Sequence, residues 1–348
     1  MKTSPKDNGP ISELRKTIQK LLILISFFLF FIGAVFTIAL LGPNFSTSAE
    51  SSYSTISDKP IEVEKTEKSF WKAADVNTSI DNKAELLYGK ELIAHTAKYL
   101  GPKGSISKTT NGMNCQNCHL EAGTKTYGNN YAAVFATYPK YRARSGQKED
   151  LYKRINDCLE RSLNGQALAI QSKEMQAMKS YIEYLGKEVP KGEKPKGSGI
   201  YDLPFISRPA DPAKGHELFL AKCISCHQTN GEGLLAADKI EYTYPPLWGS
   251  HSYNIGAGLY RLSRFAGYIK YNMPQGASFN ASQLTDEQAW DLAAYVNSQP
   301  RPKKDISKDW PKMQEKPFDH PFGPFTDTFT EKQHKYGPFK AIAALHKK

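Results

Sequence analysis

Two pentapeptides carry the residue types best suited to chemistry: CQNCH, with Cys115, Cys118 and His119, and CISCH, with Cys223, Cys226 and His227. In each, the two thiols can bond to the vinyl groups of one haem, and the histidine that follows is set to take its iron. The chain has only five cysteines, and four fall in this spacing, each pair followed by histidine. The rival readings are a redox dithiol and a zinc knuckle. A zinc site needs further ligands at short spacing, and the remaining cysteine, Cys158, is solitary. The pattern therefore predicts two covalently bound haem c groups, with His119 and His227 on the irons.

The surrounding elements repeat as well. Gly89-x-x-Leu92-Ile93 ahead of the first motif matches Gly215-x-x-Leu218-Phe219 ahead of the second. Cys223 follows Phe219 by 4 residues and Cys115 follows Ile93 by 22, so the first copy carries an extra loop. Beyond the motifs, Met178-x-x-Tyr181-Ile182 matches Leu292-x-x-Tyr295-Val296. Each copy reads as helix, haem motif, loops and closing helix, the plan of a small class I cytochrome c. The opening helix of the first copy is predicted to run from about Asp81, with Leu86, Leu87, Leu92, Ile93, Ala97 and Leu100 on one face, until Gly101, Pro102 and Gly104 end it. The closing helices have start signals: a capping box at Thr285 and Gln288, and Ser172 with Glu174 in the first turn.

These signals predict a mainly α fold: two tandem class I cytochrome c-like domains after an N-terminal transmembrane helix and stalk. Residues 1–20 are read as a cytoplasmic N-terminus, 21–41 as a transmembrane anchor or signal sequence, and 42–75 as a flexible stalk. Residues 76–195 form the first cytochrome domain, 196–210 a Pro-, Gly- and Lys-rich linker, 211–300 the second domain, and 301–348 a C-terminal tail. Its phenylalanines are expected to wrap over the domains, because they would be poor company for water. Residues 21–41, LLILISFFLFFIGAVFTIALL, are long enough to span a bilayer, and Lys2, Lys6, Arg15, Lys16 and Lys20 precede them. The charge asymmetry sends the rest of the chain to the periplasmic side of the inner membrane. A cleaved signal peptide, leaving a soluble periplasmic protein, is the alternative. The net charge of +11 implies anionic company, a small anionic substrate, an acidic redox partner or a membrane surface. No recognition motif points to nucleic acid.

The sixth ligands decide what each haem can do. For the second haem the candidate is Met273, 46 residues after His227 and just ahead of the closing helix, with Lys270 and His251 as alternatives. Pro245-Pro246-Leu247 looks like the loop whose carbonyl orients His227. The first domain lacks such a Met-Pro element. Met175 and Met178 form a stripe with Ile182 and Leu185 that reads as core. Cys158 is the other soft donor, on a helical face with Leu151, Ile155 and Leu159. A buried inert cysteine competes with that reading. Against it, a free thiol is a liability in an oxidising compartment, and Arg144, Arg154 and Arg161 would favour the thiolate if they lie near it.

Five segments resemble the thiosulfate dehydrogenase / tetrathionate reductase family of dihaem c-type cytochromes: NCQNCHLEAGT (114–124), YPKYRARSG (138–146), RINDCLERSLNG (154–165), YPPLWG (244–249) and QHKYGPF (333–339). The resemblance runs from about residue 80 to the C-terminus. It implies two-electron interconversion of thiosulfate and tetrathionate, exchanged with a periplasmic or membrane donor or acceptor such as a small cytochrome c. It further implies a catalytic first haem ligated by His119 and Cys158, and a relay haem ligated by His227 and Met273. Joining two dianions requires their repulsion to be neutralised. Arg144 and Arg154 are the arginines assigned to that role, with Ser162 as a hydrogen-bond donor. A surface charge or a haem-propionate partner is the competing role for each arginine. Cys158 can also act as nucleophile on a sulfane sulfur. Some members carry lysine directly before the methionine of the second haem, where this chain has Asn272. The other functional readings are a membrane-tethered dihaem electron shuttle, a dihaem peroxidase and the haem subunit of a larger sulfur-oxidising complex.

Overall fold

The computed structural model describes residues 10–41, 69–78 and 81–346, with the backbone alone for 10–12 and 31–41. Residues 1–65 and 66–348 are separate units. In the first, helix α1 (Pro10–Leu41) covers the whole apolar run. Among the described residues no helix is long and apolar enough to cross a membrane; the side chains of residues 31–41, half of that run, lie outside the description. Most of the stalk, residues 42–68, also lies outside it. Residues 69–75, read as its end, are packed rather than free: the Trp71 amide donates to Lys196 O at 3.0 Å.

The second unit is mainly helical. It contains α2 (Lys83–Ala94), α3 (Thr96–Leu100), α4 (Leu120–Gly123), α5 (Val134–Thr137), α6 (Leu151–Arg161) and α7 (Lys173–Leu185). Then follow α8 (Pro212–Lys222), α9 (Ile224–His227), α10 (Leu262–Asn272), α11 (Asp286–Ser298), α12 (Glu331–Tyr336) and α13 (Phe339–Leu345). Two antiparallel ribbons, β1 (Lys140–Arg142) with β2 (Gln147–Glu149) and β3 (Leu234–Leu235) with β4 (Tyr242–Tyr244), hold the β-strands of the described residues.

The internal repeat is visible atom by atom. A Cβ added to Gly89 of α2 would lie 2.1 Å from Ala177 O and 2.7 Å from Tyr181 Cβ of α7. One added to Gly215 of α8 would lie 2.0 Å from Asp291 O and 2.7 Å from Tyr295 Cβ of α11. Glycine thus lets the opening helix of each copy touch the backbone of its closing helix. Around these crossings sit two cores, one with Leu86, Leu92, Met175, Met178 and Tyr181, the other with Phe219, Phe265, Trp290 and Leu292. Both start signals are formed: Thr285 Oγ1 accepts from the Gln288 amide at 3.1 Å and Ser172 Oγ from the Met175 amide at 3.2 Å.

One expectation is corrected here. The first opening helix breaks at His95, whose backbone leaves helical geometry between α2 and α3. The break serves the haem motif: Thr96 Oγ1 accepts from the Cys115 amide at 2.9 Å, and Asn114 Oδ1 from the Ala97 amide at 2.8 Å. Those bonds reach across sequence and outweigh local helix propensity. The linker, residues 196–210, holds no helix, as its Pro and Gly content implies, and it packs against the second core. Ile200 and Leu203 are buried, and the Trp290 indole donates to Pro204 O at 3.0 Å. The tail does bring its aromatic rings onto the second core, with Phe339 buried and Phe318 and Phe322 against it.

Candidate active site

The first pentapeptide opens with a turn over Cys115–Asn117, capped reciprocally by Asn114 and Asn117. His119 Nδ1 lies 2.5 Å from Asn129 O. A carbonyl only accepts, so Nδ1 carries the proton and Nε2 keeps its lone pair for a metal. The Tyr131 ring stacks on the imidazole with centroids 4.6 Å apart. Gly123 makes room for it: its φ is +88°, and a Cβ there would meet the Tyr131 ring at 2.1 Å. Burial, offset in part by the Asn129 carbonyl, lowers the His119 pKa to about 4.

Helix α6 brings Cys158 to the same place. Its N-cap Asp150 accepts from the Lys153 amide, and Leu151, Ile155 and Leu159 are buried, which fixes the roll of the helix. Cys158 and Ser162 border two adjoining cavities of about 370 and 530 Å³, and Cys118 and His119 border both. Met175 and Met178 are fully buried in the core and line neither.

The larger cavity is bordered by Arg142, Arg144, Arg154, Arg161, Arg261 and Arg264 against two aspartates, Asp157 and Asp202. Several of these cations are already taken. Arg161 donates two hydrogen bonds of 2.8 Å to Asp309. Arg261 binds Asp319 through Nε at 2.7 Å, and Arg264 pairs with Asp202. Arg142 Nε is 4.0 Å from Glu149. Arg144 donates to Gly256 O at 3.0 Å and stands 3.9 Å from Asp309. Arg154 forms no ion pair with a carboxylate among the described residues. The sulfur of Cys158 is the main influence raising its pKa, against the opposing effect of burial. The excess of positive charge is felt nearby: burial first, then Arg142, Lys194 and Arg154 hold Lys140 down to about 8.

The second pentapeptide borders a third cavity, of about 370 Å³, with Cys223, Cys226, His227 and Met273 on its wall. His227 Nδ1 lies 2.9 Å from Pro245 O, so the expected loop carbonyl does orient this ring. Met273 ends α10. Of the two other candidates, Lys270 is engaged with Leu284 O at 2.6 Å and Asp286 at 2.9 Å, and His251 is exposed; neither lines the cavity. Cys118 borders this cavity too, so the two attachment sites share a wall.

All predicted site residues therefore fall on three neighbouring cavities. Sequence reasoning passed over Arg261 and Arg264 of the second domain, the linker residues Ile200 and Asp202, and Asp309 and Trp310 of the tail. Their only signal is position in three dimensions.

Each pentapeptide places two thiols and an imidazole with a free Nε2 on a cavity wall, and a soft sulfur donor borders the same cavity. That donor set fits a c-type haem in both places, and the class defined by this fold and these sites is a dihaem c-type cytochrome. Residues 105–190 match the family described as SoxA/TsdA, cytochrome c domain, and residues 212–300 match Cytochrome c. A thiosulfate dehydrogenase of Allochromatium vinosum is 42% identical over 196 residues, 55% of this chain and 71% of that protein. That of Psychrobacter arcticus is 37% identical over 243 residues, 69% of this chain and 71% of that protein. Among solved structures, the thiosulfate dehydrogenase TsdBA of Marichromatium purpuratum aligns with a TM-score of 0.62 at 29% identity, covering 68% of this chain and 50% of that one. This chain therefore spans half the length of that structure. It belongs to the thiosulfate dehydrogenase family and carries two covalently bound c-type haems.

Proposed function

We propose that the protein is a thiosulfate dehydrogenase that joins two thiosulfates into tetrathionate and releases two electrons, and that the same residues serve tetrathionate reduction. The observation that carries this reading is Cys158 beside Arg154, a guanidinium with no carboxylate ion pair among the described residues, in an arginine-lined cavity bordered by His119. A plain electron shuttle has no use for such a cavity.

In this reading Cys115 and Cys118 would hold the first haem and Cys223 and Cys226 the second, and His119 with Cys158, and His227 with Met273, would be the residues that bind the two irons. The haems, when bound, supply two one-electron acceptors. Arg144 and Arg154 hold the dianion and offset its charge, and the Ser162 hydroxyl donates to a sulfonate oxygen. The Cys158 thiolate forms a bond to the sulfane sulfur of one thiosulfate, giving a cysteine S-thiosulfonate and two electrons. A second thiosulfate attacks that sulfane sulfur, tetrathionate forms, and the Cys158 thiolate leaves. Reversal of the two steps consumes two electrons and returns two thiosulfates. The test is an assay of purified holoprotein both ways, thiosulfate with an oxidising dye and tetrathionate with a reduced viologen. Turnover in either direction supports the reading; two loaded haems with turnover in neither would favour the shuttle.

We also propose that α1 anchors the protein at the periplasmic face of the inner membrane, where a small cytochrome c exchanges electrons with it. Leu24, Phe27, Phe28 and Phe30 are exposed on α1, and a helix apolar all round is unstable in water. Alkaline extraction of membranes should leave the protein in the pellet; release into the supernatant would remove the anchor.

A further inference from the structure

The tail beyond residue 300 lies outside both family matches, yet it reaches the wall of the arginine-lined cavity. Asp309 takes both Nη hydrogen bonds of Arg161 at 2.8 Å and stands 3.9 Å from Arg144 Nε. The next residue holds Arg144 from two sides. The Trp310 amide donates to Arg144 O at 2.7 Å, and the Trp310 ring lies 5.5 Å from the Arg144 guanidinium, which donates in turn to Gly256 O at 3.0 Å. Trp310 does this at φ +63°, a conformation that a bulky side chain keeps only where its surroundings enforce it. It is 8% exposed. Three donors of this cluster, Arg144 Nε, Arg161 Nε and Trp310 Nε1, are buried without a hydrogen-bond partner. Buried donors of this kind are costly unless the site uses them.

We infer that Asp309 and Trp310 are positioning residues for the anionic substrate. Asp309 commits both carboxylate oxygens to Arg161 and approaches Arg144 only at 3.9 Å, and Trp310 fixes Arg144 between the Gly256 carbonyl and the cavity, so that Arg144 and Arg154, neither hydrogen-bonded to a carboxylate among the described residues, serve the sulfonate groups. The tail, outside both cytochrome domains, thereby completes the anion site. This rests on thiosulfate being the ligand, as proposed above.

The test uses full-length holoprotein with both haems reduced and no added electron acceptor, so that thiosulfate can bind but has nowhere to send its electrons. Calorimetric titration with thiosulfate compares wild type with Trp310→Leu, Trp310→Phe, Arg144→Gln and the Arg144→Gln/Trp310→Leu double variant. Trp310→Leu should weaken Kd about tenfold, the scale of one charge-assisted hydrogen bond. Trp310→Phe, which keeps a ring beneath the guanidinium, should stay within about threefold. In the Arg144→Gln background Trp310→Leu should add nothing, because its effect passes through Arg144. Haem spectra and potentials should not move. If Trp310→Leu does not fold, Trp310→Met, whose flexible unbranched chain adapts to an irregular space without a ring, takes its place. An unchanged Kd in the ringless variant, effects that multiply in the double variant, or a shift in haem potential at constant Kd would each overturn the inference. Wild type that binds thiosulfate without turning it over would end the enzymatic reading while leaving these Kd comparisons decisive for the tail.

Discussion

Among the arginines of the cavity, what separates Arg154 from the rest is its partners. Arg161, Arg261 and Arg264 each hydrogen-bond a carboxylate and Arg142 and Arg144 stand within 4.0 Å of one, whereas Arg154, on the same cavity wall as Cys158, has no such ion pair among the described residues. Arg154→Gln should lower kcat/KM for thiosulfate about 10- to 100-fold, the worth of one or two charge-assisted hydrogen bonds. Arg154→Lys should recover only part of it, because an ammonium lacks the planar fork. Steady-state kinetics on variants with both haems verified checks this, and activity of Arg154→Gln within twofold of wild type would assign the charge to another task. Arg154, Cys158 and Ser162 come from one sequence segment, 154–165, and Arg144 from another, 138–146, and all four border one cavity. The partners that sort the arginines were not legible in this way, since Asp309 lies 148 residues from Arg161 in sequence.

At the scale of the elements, the two glycine crossings are the most specific devices in the fold. Gly89→Ala would drive a Cβ to 2.1 Å from Ala177 O, backbone that cannot swing aside as a side chain tip can. We expect a loss of about 3 kcal/mol or more, the upper range for overpacking, read as a lowered Tm. A stability change within about 0.5 kcal/mol would mean that α2 and α7 separate freely. The repeat that carries both glycines was readable in sequence because it occurs twice with the same spacing, and the caps at Thr285 and Ser172 because they are local; the close contact of the helices was not. Nor was the break at His95. His95 Nδ1 reaches Glu241 of the second domain at 3.1 Å, and Thr96 and Asn114 tie the break to the first pentapeptide. Distant pairing of this kind leaves no periodicity behind. The absence of a helix in the linker was readable from its Pro and Gly content, whereas the burial of Ile200 and Leu203 against the second core was not.

Across the whole molecule, the two cytochrome domains are joined through the attachment site of the first haem. Tyr268 donates to Asn117 O at 2.8 Å, Asn272 to Tyr127 O at 3.1 Å, and Cys118 borders all three cavities. Asn272 therefore has a structural task of its own beside Met273. The tail ties in through Asp319, fully buried, which accepts from Arg261 Nε at 2.7 Å and from the Ser263 amide at 3.1 Å. Burial alone would raise this carboxyl; Arg261 and Ser263 outweigh it and hold the pKa below the usual range. A depressed folded value stabilises the protein above the unfolded pKa of about 3.9, and that contribution fades as pH falls toward the folded pKa. Asp319→Asn should therefore cost about 3 kcal/mol at neutral pH. The gap to wild type should close as acid denaturation is followed below about pH 4. A gap constant with pH would show that the carboxylate charge is not what matters. The central claim is that chemistry happens at Cys158 and electrons leave toward the second haem. Its most direct test is Cys158→Gly, assayed for thiosulfate-dependent dye reduction with haem content measured by mass. The account predicts two attached haems and no turnover; turnover at the wild-type rate would contradict it.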